Sequence, residues 1–253
     1  MANEFSTSTN WFDQGGAFYA RFRPGYPDQL AEFLASVAPD HRFAVDVGCG
    51  TGQLTGQLAR HFDHVVGLDP SADQIANTVP HERTHFQCAS AEKLPLPDES
   101  VSLVTAAQAA HWFNLSVFYD EVRRVSVSGG VLALMSYGVL SLGPGLDDRF
   151  RLFYWQEIGS YWPAERKLVD TGYADIEFPF SEFATPPMCI RLEWSLQELL
   201  GYISTWSAVR RAREAGQEGL FLKFAEAMAA DWGYPAARRT ITWPIHMRIG
   251  RIR

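Results

Sequence analysis

The stretch V-D-V-G-C-G-T-G-Q, Val45–Gln53, decides the fold that this sequence predicts. A short apolar run leads into it, glycines stand at Gly48, Gly50 and Gly52, and apolar residues then recur at helical spacing over 54–62. Glycines let the backbone bend sharply and let a ligand approach without a Cβ in the way. The start of a helix also offers unpaired N–H groups. The stretch therefore predicts a strand, a glycine turn and a helix around a small polar ligand.

The segments on either side alternate between strand and helix. The predicted strands are Phe43–Val47, His64–Leu68, Thr84–Cys88, Val101–Ala107 and Val131–Tyr137. The predicted helices are Asp28–Val37, Leu54–Arg60, Asp73–Thr78 and Leu115–Val125. Ser71 is the expected N-cap of the third of these helices. Strand and helix alternate five times, which predicts a doubly wound, Rossmann-like α/β sheet.

The sequence changes character after Gly138, where aromatic residues become frequent. Six of the eight tryptophans lie beyond residue 150. The apolar spacing predicts an aromatic helix over 150–161, a short helix over 165–171, and helices over 196–203 and 220–228. A sixth strand is predicted at Tyr173–Phe180, an extended piece at Met188–Trp194, and a last strand that Pro244 bulges or delays. A helical, aromatic-rich cap over the sheet would explain the tryptophans, and so would plain core packing.

Composition and charge narrow the class of protein. Apolar residues make up 47% of the 253 residues, and the net charge is −7, from 22 basic and 29 acidic side chains. This charge argues against a nucleic-acid partner. The first ten residues lack the apolar segment of a signal peptide, and no apolar run reaches the length of a membrane span. Cys49, Cys88 and Cys189 show neither disulfide nor zinc spacing, so we expect a soluble cytoplasmic protein.

Asp46, two residues before the first glycine, distinguishes between two cofactors. A dinucleotide fingerprint reads G-x-G-x-x-G and places a pyrophosphate on the helix N-terminus, whereas this turn reads G-x-G-x-G. A carboxylate at the strand tip repels a pyrophosphate and suits a cation. S-adenosylmethionine carries an ammonium and a sulfonium, so Asp46 favours it over NAD.

Four motifs in this order resemble those of class I S-adenosylmethionine-dependent methyltransferases. Besides the glycine turn, Asp69 ends V-V-G-L-D-P-S like the acid that holds the ribose hydroxyls, a carboxylate being able to accept two hydrogen bonds. Ser90–Glu92 match the segment beside the adenine, and 129–132 match the turn into the fifth strand. The resemblance implies a seven-stranded sheet with an antiparallel last strand. It implies these cofactor-binding residues: Asp46, Gly48, Gly50, Gly52, Asp69, Ser90, Ala91, Glu92 and Gln108.

Within that superfamily the sequence is similar to the small-molecule group that includes trans-aconitate methyltransferases. This finer resemblance rests on Tyr19–Pro27, on A-A-H-W-F at 109–113 and on the tryptophan-rich second half. It implies an N-terminal lid that contains Tyr19, Arg23 and Tyr26. Arg23 is then either a ligand of a cofactor or substrate carboxylate, or an exposed loop arginine.

His111 is the candidate catalytic residue, because it follows the fourth strand, where cofactor and substrate meet in this family. A neutral imidazole there accepts a proton from a hydroxyl or amine. The alternative is a wall residue bound to the backbone, and a carboxylate acceptor needs no base. Trp112 is expected to pack beside the substrate.

His81–His85 spell H-E-x-x-H, a zinc-protease signature that works only on a helix. Pro80 precedes this segment and a predicted strand begins within it, so the two histidines should be about 13 Å apart. No third ligand is apparent in the sequence. We therefore expect no metal site.

The sequence therefore predicts methyl transfer from S-adenosylmethionine to a small-molecule acceptor, at a carboxylate or hydroxyl oxygen. An NAD-dependent oxidoreductase and a non-catalytic S-adenosylmethionine-binding protein are the alternatives. The oligomeric state is not predicted. The expected units are an N-terminal lid segment and first helix (1–40), the cofactor-binding core (41–137), remaining core strands with the substrate cap (138–237) and a C-terminal strand (238–253).

Overall fold

In a computed structural model, which describes residues 24–252, the glycine turn joins the central strand to a helix on one side of the sheet. The strands are β1 (Phe43–Val47), β2 (His64–Asp69), β3 (Thr84–Cys88), β4 (Val101–Ala107), β5 (Ser126–Tyr137), β6 (Ser181–Glu182), β7 (Met188–Trp194) and β8 (Arg239–Arg251). The helices are α1 (Asp28–Val37), α2 (Gln53–Leu58), α3 (Ala72–Ala76), α4 (Leu115–Val125), α5 (Asp147–Leu152), α6 (Arg166–Asp170), α7 (Leu196–Ser204), α8 (Ser207–Glu214) and α9 (Glu218–Trp232).

The sheet has the order β3-β2-β1-β4-β5-β8, and β6 and β7 share the outer edge of β8. Strands β1 to β5 are parallel, and β8 runs antiparallel to β5. The predicted doubly wound sheet with seven positions and an antiparallel last strand is therefore confirmed. Parallel neighbours place the carboxyl ends of β1, β2 and β4 at one edge, which is where α/β sheets bind ligands.

The two faces of the sheet carry separate cores because successive side chains of a strand point to opposite faces. Ala44 of β1 packs with α1 and α2, whereas its neighbour Val45 packs with α4. Both residues are fully buried. This double burial explains why the strands appear in the sequence as nearly continuous apolar runs.

A third core is formed mainly by the chain that connects β5 to β8, and nearly half of its buried side chains are aromatic. Tyr154, Trp232 and Trp243 are each about 1% exposed, and the Phe153 and Phe224 rings stack with centroids 4.0 Å apart. Much of the aromatic content of the second half is therefore core packing.

The predicted aromatic helix over 150–161 is interrupted. Helix α5 ends at Leu152, a π-helical turn covers Phe153–Glu157, and a 3₁₀ turn covers Gly159–Tyr161. A single inserted residue in a π turn leaves the apolar spacing nearly intact, so the spacing alone did not show the break.

The predicted sixth strand, Tyr173–Phe180, is wrong. The segment is a turn followed by irregular chain, and β6 and β7 take its place in the sheet. Nη1 of Arg248 donates to the carbonyls of Tyr173 and Ile176, at 3.0 and 2.9 Å. Tyr173 also has a φ of +64°, which is incompatible with a strand. The alternating apolar residues pack on α4 instead.

The predicted effect of Pro244 is also wrong, since β8 begins before it and passes through it without a register shift. Its carbonyl accepts from Gly138 N at 2.9 Å, so this edge of Pro244 faces the residue that follows the last residue of β5, Tyr137. The missing N–H lies on the same edge, so only the reciprocal bond to Gly138, one residue beyond the end of β5, is absent. Among residues 24–252, none of the helices combines the length and the apolar character needed to cross a membrane.

Candidate active site

The glycine turn is held against β2 by two hydrogen bonds. Gly48 N and Cys49 N both donate to Leu68 O, at 2.7 and 3.0 Å. The three glycines, Gly48, Gly50 and Gly52, have φ values of +70°, +56° and +83°, which side chains rarely tolerate.

Two of these glycines are also required by close neighbours. A Cβ on Gly48 would lie 2.4 Å from Ala109 Cβ, and one on Gly52 would lie 2.6 Å from the Phe86 ring. The same ring lies 2.6 Å from where Gly67 would carry a Cβ. Sequence reasoning missed this role of Phe86, although the glycine inside the second strand was a signal of close approach.

Asp69 connects the ends of β1 and β2. Its Oδ2 accepts from Gly50 N and its Oδ1 from Ser71 N, both at 2.9 Å. Each oxygen retains a lone pair for a further donor. Burial raises the pKa of this carboxyl, and the two N–H donors oppose that effect.

Asp46 lies beneath the turn rather than on its surface. It is 1% exposed and accepts from the hydroxyls of Thr55 and Thr105, at 2.8 and 2.9 Å. Burial raises its pKa to about 6. The Asp46 carboxylate therefore does not contact a ligand above the turn directly. Its negative charge acts on a bound cation across the intervening turn.

Cofactor affinity should depend on pH through Asp46. A cationic ligand lowers the pKa of this carboxyl, so the demethylated cofactor, which retains its ammonium, should bind about tenfold more tightly at pH 7 than at pH 5. Calorimetric titration measures this change. The Asp46→Asn variant should bind more weakly and lose the pH dependence that Asp46 contributes. An equal pH dependence in both proteins would exclude Asp46 as its cause.

The residues predicted beside the adenine follow β3. Ala91 is buried and Ser90 is exposed. Oε1 of Glu92 accepts from Asn114 N at 2.9 Å, which connects this loop to the start of α4. Glu92 therefore holds two loops at the same sheet edge together.

Three glutamine amide oxygens near the turn are buried and have no hydrogen-bond partner within residues 24–252, and two of them lie outside helix α2. One is Oε1 of Gln108, at the end of β4, whose backbone has a φ of +55° and whose Nε2 donates to Tyr137 O at 3.3 Å. The other is Oε1 of Gln74, which lies 3.7 Å from a Cβ position on Gly50. Buried acceptors without partners are costly, so both are suited to donors of a ligand such as an ammonium.

His111 lies in the 3₁₀ turn Ala110–Trp112, directly beyond β4. Its Nδ1 is 2.9 Å from the hydroxyl of Tyr173, and its ring packs 4.8 Å from that of Trp112. Tyr173 is fully buried, which raises the pKa of its phenol. Its φ of +64° is an outlier for a bulky residue, and such strain clusters at functional sites. Sequence reasoning missed Tyr173 because it had placed the residue in a strand.

The predicted lid is only partly described. Tyr19 and Arg23 lie outside the described residues. Tyr26 lies beside the end of β5 and helix α2: its ring centroid is 6.2 Å from that of Tyr137, and its carbonyl accepts from Gln57 Nε2 at 2.6 Å.

Comparisons with known proteins agree with this geometry. A family described as a methyltransferase domain matches residues 45–134. A candidate methyltransferase of Dictyostelium discoideum is 35% identical over 235 residues, which are 90% of this chain and 89% of that protein. The chain belongs to the class I S-adenosylmethionine-dependent methyltransferases.

Two further proteins are similar to this methyltransferase. A solved structure of a candidate type II methyltransferase from Anaeromyxobacter dehalogenans is 40% identical, covers 91% of this chain and 98% of its own, and has a TM-score of 0.86. The malonyl-[acyl-carrier protein] O-methyltransferase of Dechloromonas aromatica is 36% identical over 116 residues, 44% of this chain and 41% of that protein. The finer resemblance to the trans-aconitate group stays a prediction.

S-adenosylmethionine is the cofactor of this methyltransferase. The residues present fit this cofactor. The positive-φ glycines leave space for a nucleoside close to the backbone. The lone pairs of Asp69 and the buried amide oxygens of Gln74 and Gln108 supply acceptors for its hydroxyl and ammonium groups. The NAD-dependent alternative is set aside by the family assignment.

The H-E-x-x-H segment of the methyltransferase is not a helix, since His85 lies inside β3. His81 is held by a local turn, in which its Nδ1 accepts from Arg83 N at 3.2 Å. No group of three or more metal-ligating side chains occurs between residues 24 and 252.

Proposed function

We propose that this methyltransferase transfers a methyl group to an oxygen of a small-molecule acceptor, and that a carboxylate is the better acceptor than a hydroxyl. The observation that carries this proposal is the hydrogen bond between Tyr173 and His111 at the carboxyl end of β4. The predicted cofactor-binding residues and the helical region over 138–237, as a substrate cap, belong to the same proposal.

The hydrogen bond favours one tautomer of His111. Burial keeps the Tyr173 phenol protonated at neutral pH, because it raises the pKa of that group. Backbone N–H groups of His111 and Ala110 already donate to the Tyr173 oxygen, so we assign the phenol as the donor to Nδ1, which leaves the ring proton of a neutral His111 on Nε2. An imidazole in this tautomer offers an N–H and accepts no proton at Nε2. His111 is therefore suited to orient an acceptor oxygen rather than to act as a base.

A carboxylate is consistent with such a site because it is already ionised near neutral pH. S-adenosylmethionine supplies an electrophilic methyl group on a sulfonium. The carboxylate oxygen forms the new C–O bond as the C–S bond breaks, and the two charges cancel, so no proton has to move. The chain's own residues then contribute orientation and the removal of water. The O-methyltransferase relative supports oxygen as the acceptor atom.

A product assay with two His111 variants tests this function. We expect a methyl ester, which base hydrolyses, from a pool of carboxylic acids, phenols and amines incubated with cofactor and wild-type protein. His111→Gln keeps an N–H donor and should retain most of the kcat, whereas His111→Ala should lose about 10- to 100-fold. Over pH 6 to 8 the wild-type kcat/KM should change little.

Three outcomes would contradict the proposal. An equal loss in both variants, with a rate that rises between pH 6 and pH 8, would make His111 a base for a hydroxyl acceptor. A base-stable product would exclude a carboxylate. Absence of any methylated product would favour the non-catalytic alternative.

A further inference from the structure

The turn Gly172–Tyr173 ends helix α6 and places the hydroxyl that binds His111. Gly172 is an ordinary left-handed cap, because its N–H donates to Val169 O at 3.0 Å and the N–H of Tyr173 donates to Leu168 O at 2.8 Å, as in a Schellman motif. Tyr173 itself has a φ of +64°, and a bulky residue keeps such a conformation only where its surroundings hold it. Neighbouring segments must therefore hold Tyr173.

The imidazole of His246, in β8, packs directly against this turn. A Cβ on Gly172 would lie 2.6 Å from His246 Cγ and 2.8 Å from His246 Cβ. At the other end of the ring, a Cβ on Gly138 would lie 3.0 Å from Nε2. Two glycines thus make room for one imidazole. The contacts at Gly172 involve the ring's attachment to the backbone, so the ring cannot leave the turn unless β8 moves.

Packing alone holds the ring of His246. Within residues 24–252, neither of its ring nitrogens has a hydrogen-bond partner. Ser136 lies directly opposite His246 in the ladder of β5 and β8, and its buried hydroxyl has no partner in this part of the chain either. The ring therefore acts on the turn through its shape and position.

A second side chain of β8 holds the same turn. Arg248 lies two residues after His246, so both side chains point to one face of the sheet. Its Nη1 donates to the carbonyls of Tyr173 and Ile176, at 3.0 and 2.9 Å. One strand thus supplies the packing contact on Gly172 and the hydrogen bond on the carbonyl of Tyr173.

The hydroxyl of Tyr173 transmits this position to His111. Its oxygen lies 2.9 Å from His111 Nδ1 and also accepts from the backbone N–H groups of Ala110 and His111. Tyr173 therefore fixes both the 3₁₀ turn and the ring that this turn carries. A misplacement of about 1 Å can cost about 100-fold in rate even when its cause is remote from the chemistry.

We infer that His246 is a positioning residue for methyl transfer: its ring supports the Gly172–Tyr173 turn, and through Tyr173 it sets the orientation of His111 towards the acceptor. His246 acts in this role without contact to the acceptor. The inference rests on the proposed function, in which His111 orients the acceptor oxygen.

Nuclear magnetic resonance of the ring nitrogens of His111 tests this role, in protein saturated with the demethylated cofactor. Tyr173→Phe removes the donor to Nδ1 and should shift the Nδ1 signal. His246→Ala leaves a space beside Gly172, so the turn should relax and the same shift should appear. Gly172→Ala disturbs the contact from the other side, with a methyl 2.6 Å from His246 Cγ, and should reproduce the shift. The signal is assigned by its loss in His111→Gln.

Steady-state kinetics supply a second readout, with the best carboxylic acid of the product assay as the acceptor. His246→Ala should lower kcat about 10- to 100-fold and leave the KM for the cofactor within about threefold. The double variant with Tyr173→Phe should be within about twofold of the slower single variant, because both changes remove the same contact. A histidine that only packed the core would give additive losses.

Met247→Ala and Gly216→Ala are the matched controls. Met247 is the next residue of β8 and packs on the opposite face of the sheet. Gly216 has a φ of +72° and open space around its Cβ position. Both variants should lose stability but keep the wild-type His111 signal and kcat. Cofactor binding and the thermal unfolding midpoint show whether each protein is folded, and His246→Ala serves if Gly172→Ala is not.

Two results would overturn the inference when Tyr173→Phe does shift the signal: a wild-type His111 signal in folded His246→Ala, or additive losses of kcat in the double variant. The proposed function would survive either result. A wild-type His111 signal in Tyr173→Phe would instead count against the bond between Tyr173 and His111, on which the proposed function rests.

Discussion

Gly48→Ala should destabilise the protein by about 2–5 kcal/mol and abolish cofactor binding where the protein still folds. About 1–2 kcal/mol comes from placing a side chain at a φ of +70°. Another 1–3 kcal/mol or so comes from overpacking, because the new methyl would lie 2.4 Å from Ala109 Cβ. Ala109 adjoins the turn that carries His111, so relief of the clash would also displace that turn. Urea unfolding measures the loss of stability.

Two other glycines separate the causes. Gly129 has a φ of +75° and open space around its Cβ position, so Gly129→Ala should cost only the backbone part, about 1–2 kcal/mol. Gly56 lies in helix α2 with open space, so Gly56→Ala should stabilise by about 0.5–1 kcal/mol. If Gly48→Ala cost no more than Gly129→Ala, the close approach to Ala109 would not be a constraint.

Asp69→Ala should weaken binding of the demethylated cofactor by about 2 kcal/mol or more, roughly 30-fold. The variant loses the acceptor proposed for the ribose hydroxyls. It also leaves Gly50 N and Ser71 N without the carboxylate that holds both loops. Calorimetry measures the affinity, and amide exchange at the turn shows whether the loops loosen.

Two matched variants test the specificity of that effect. Asp69→Asn keeps one acceptor oxygen and should lose less affinity than Asp69→Ala. Asp63→Ala changes an exposed aspartate just before β2, at the opposite end of the strand, and should bind the cofactor as the wild type does. Wild-type affinity in Asp69→Ala would remove Asp69 from the site.

The parts of the fold that sequence predicted best are those in which apolar spacing and burial coincide. Helices Asp28–Val37 and Leu115–Val125 and strand Val101–Ala107 have the predicted bounds, because each presents its apolar residues to one or both faces of a core. The glycine turn was predictable for a related reason, since only glycine tolerates its backbone.

The acceptor side of the site was not predictable in the same way. Tyr173 lies in an apolar alternation that resembles a strand, and a side chain from β8, Arg248, holds its carbonyl in a turn instead. The contact between Arg166 and Tyr154 also carries no local signal, because Tyr154 lies twelve residues earlier and in a π turn. Contacts of this kind arise only when distant segments pack.

A crystal structure with the demethylated cofactor tests the account most directly. We expect both ribose hydroxyls to lie within hydrogen-bonding distance of Asp69, and the sulfur to face the turn that carries His111. A nucleoside bound away from the glycine turn, or a ribose without contact to Asp69, would contradict it.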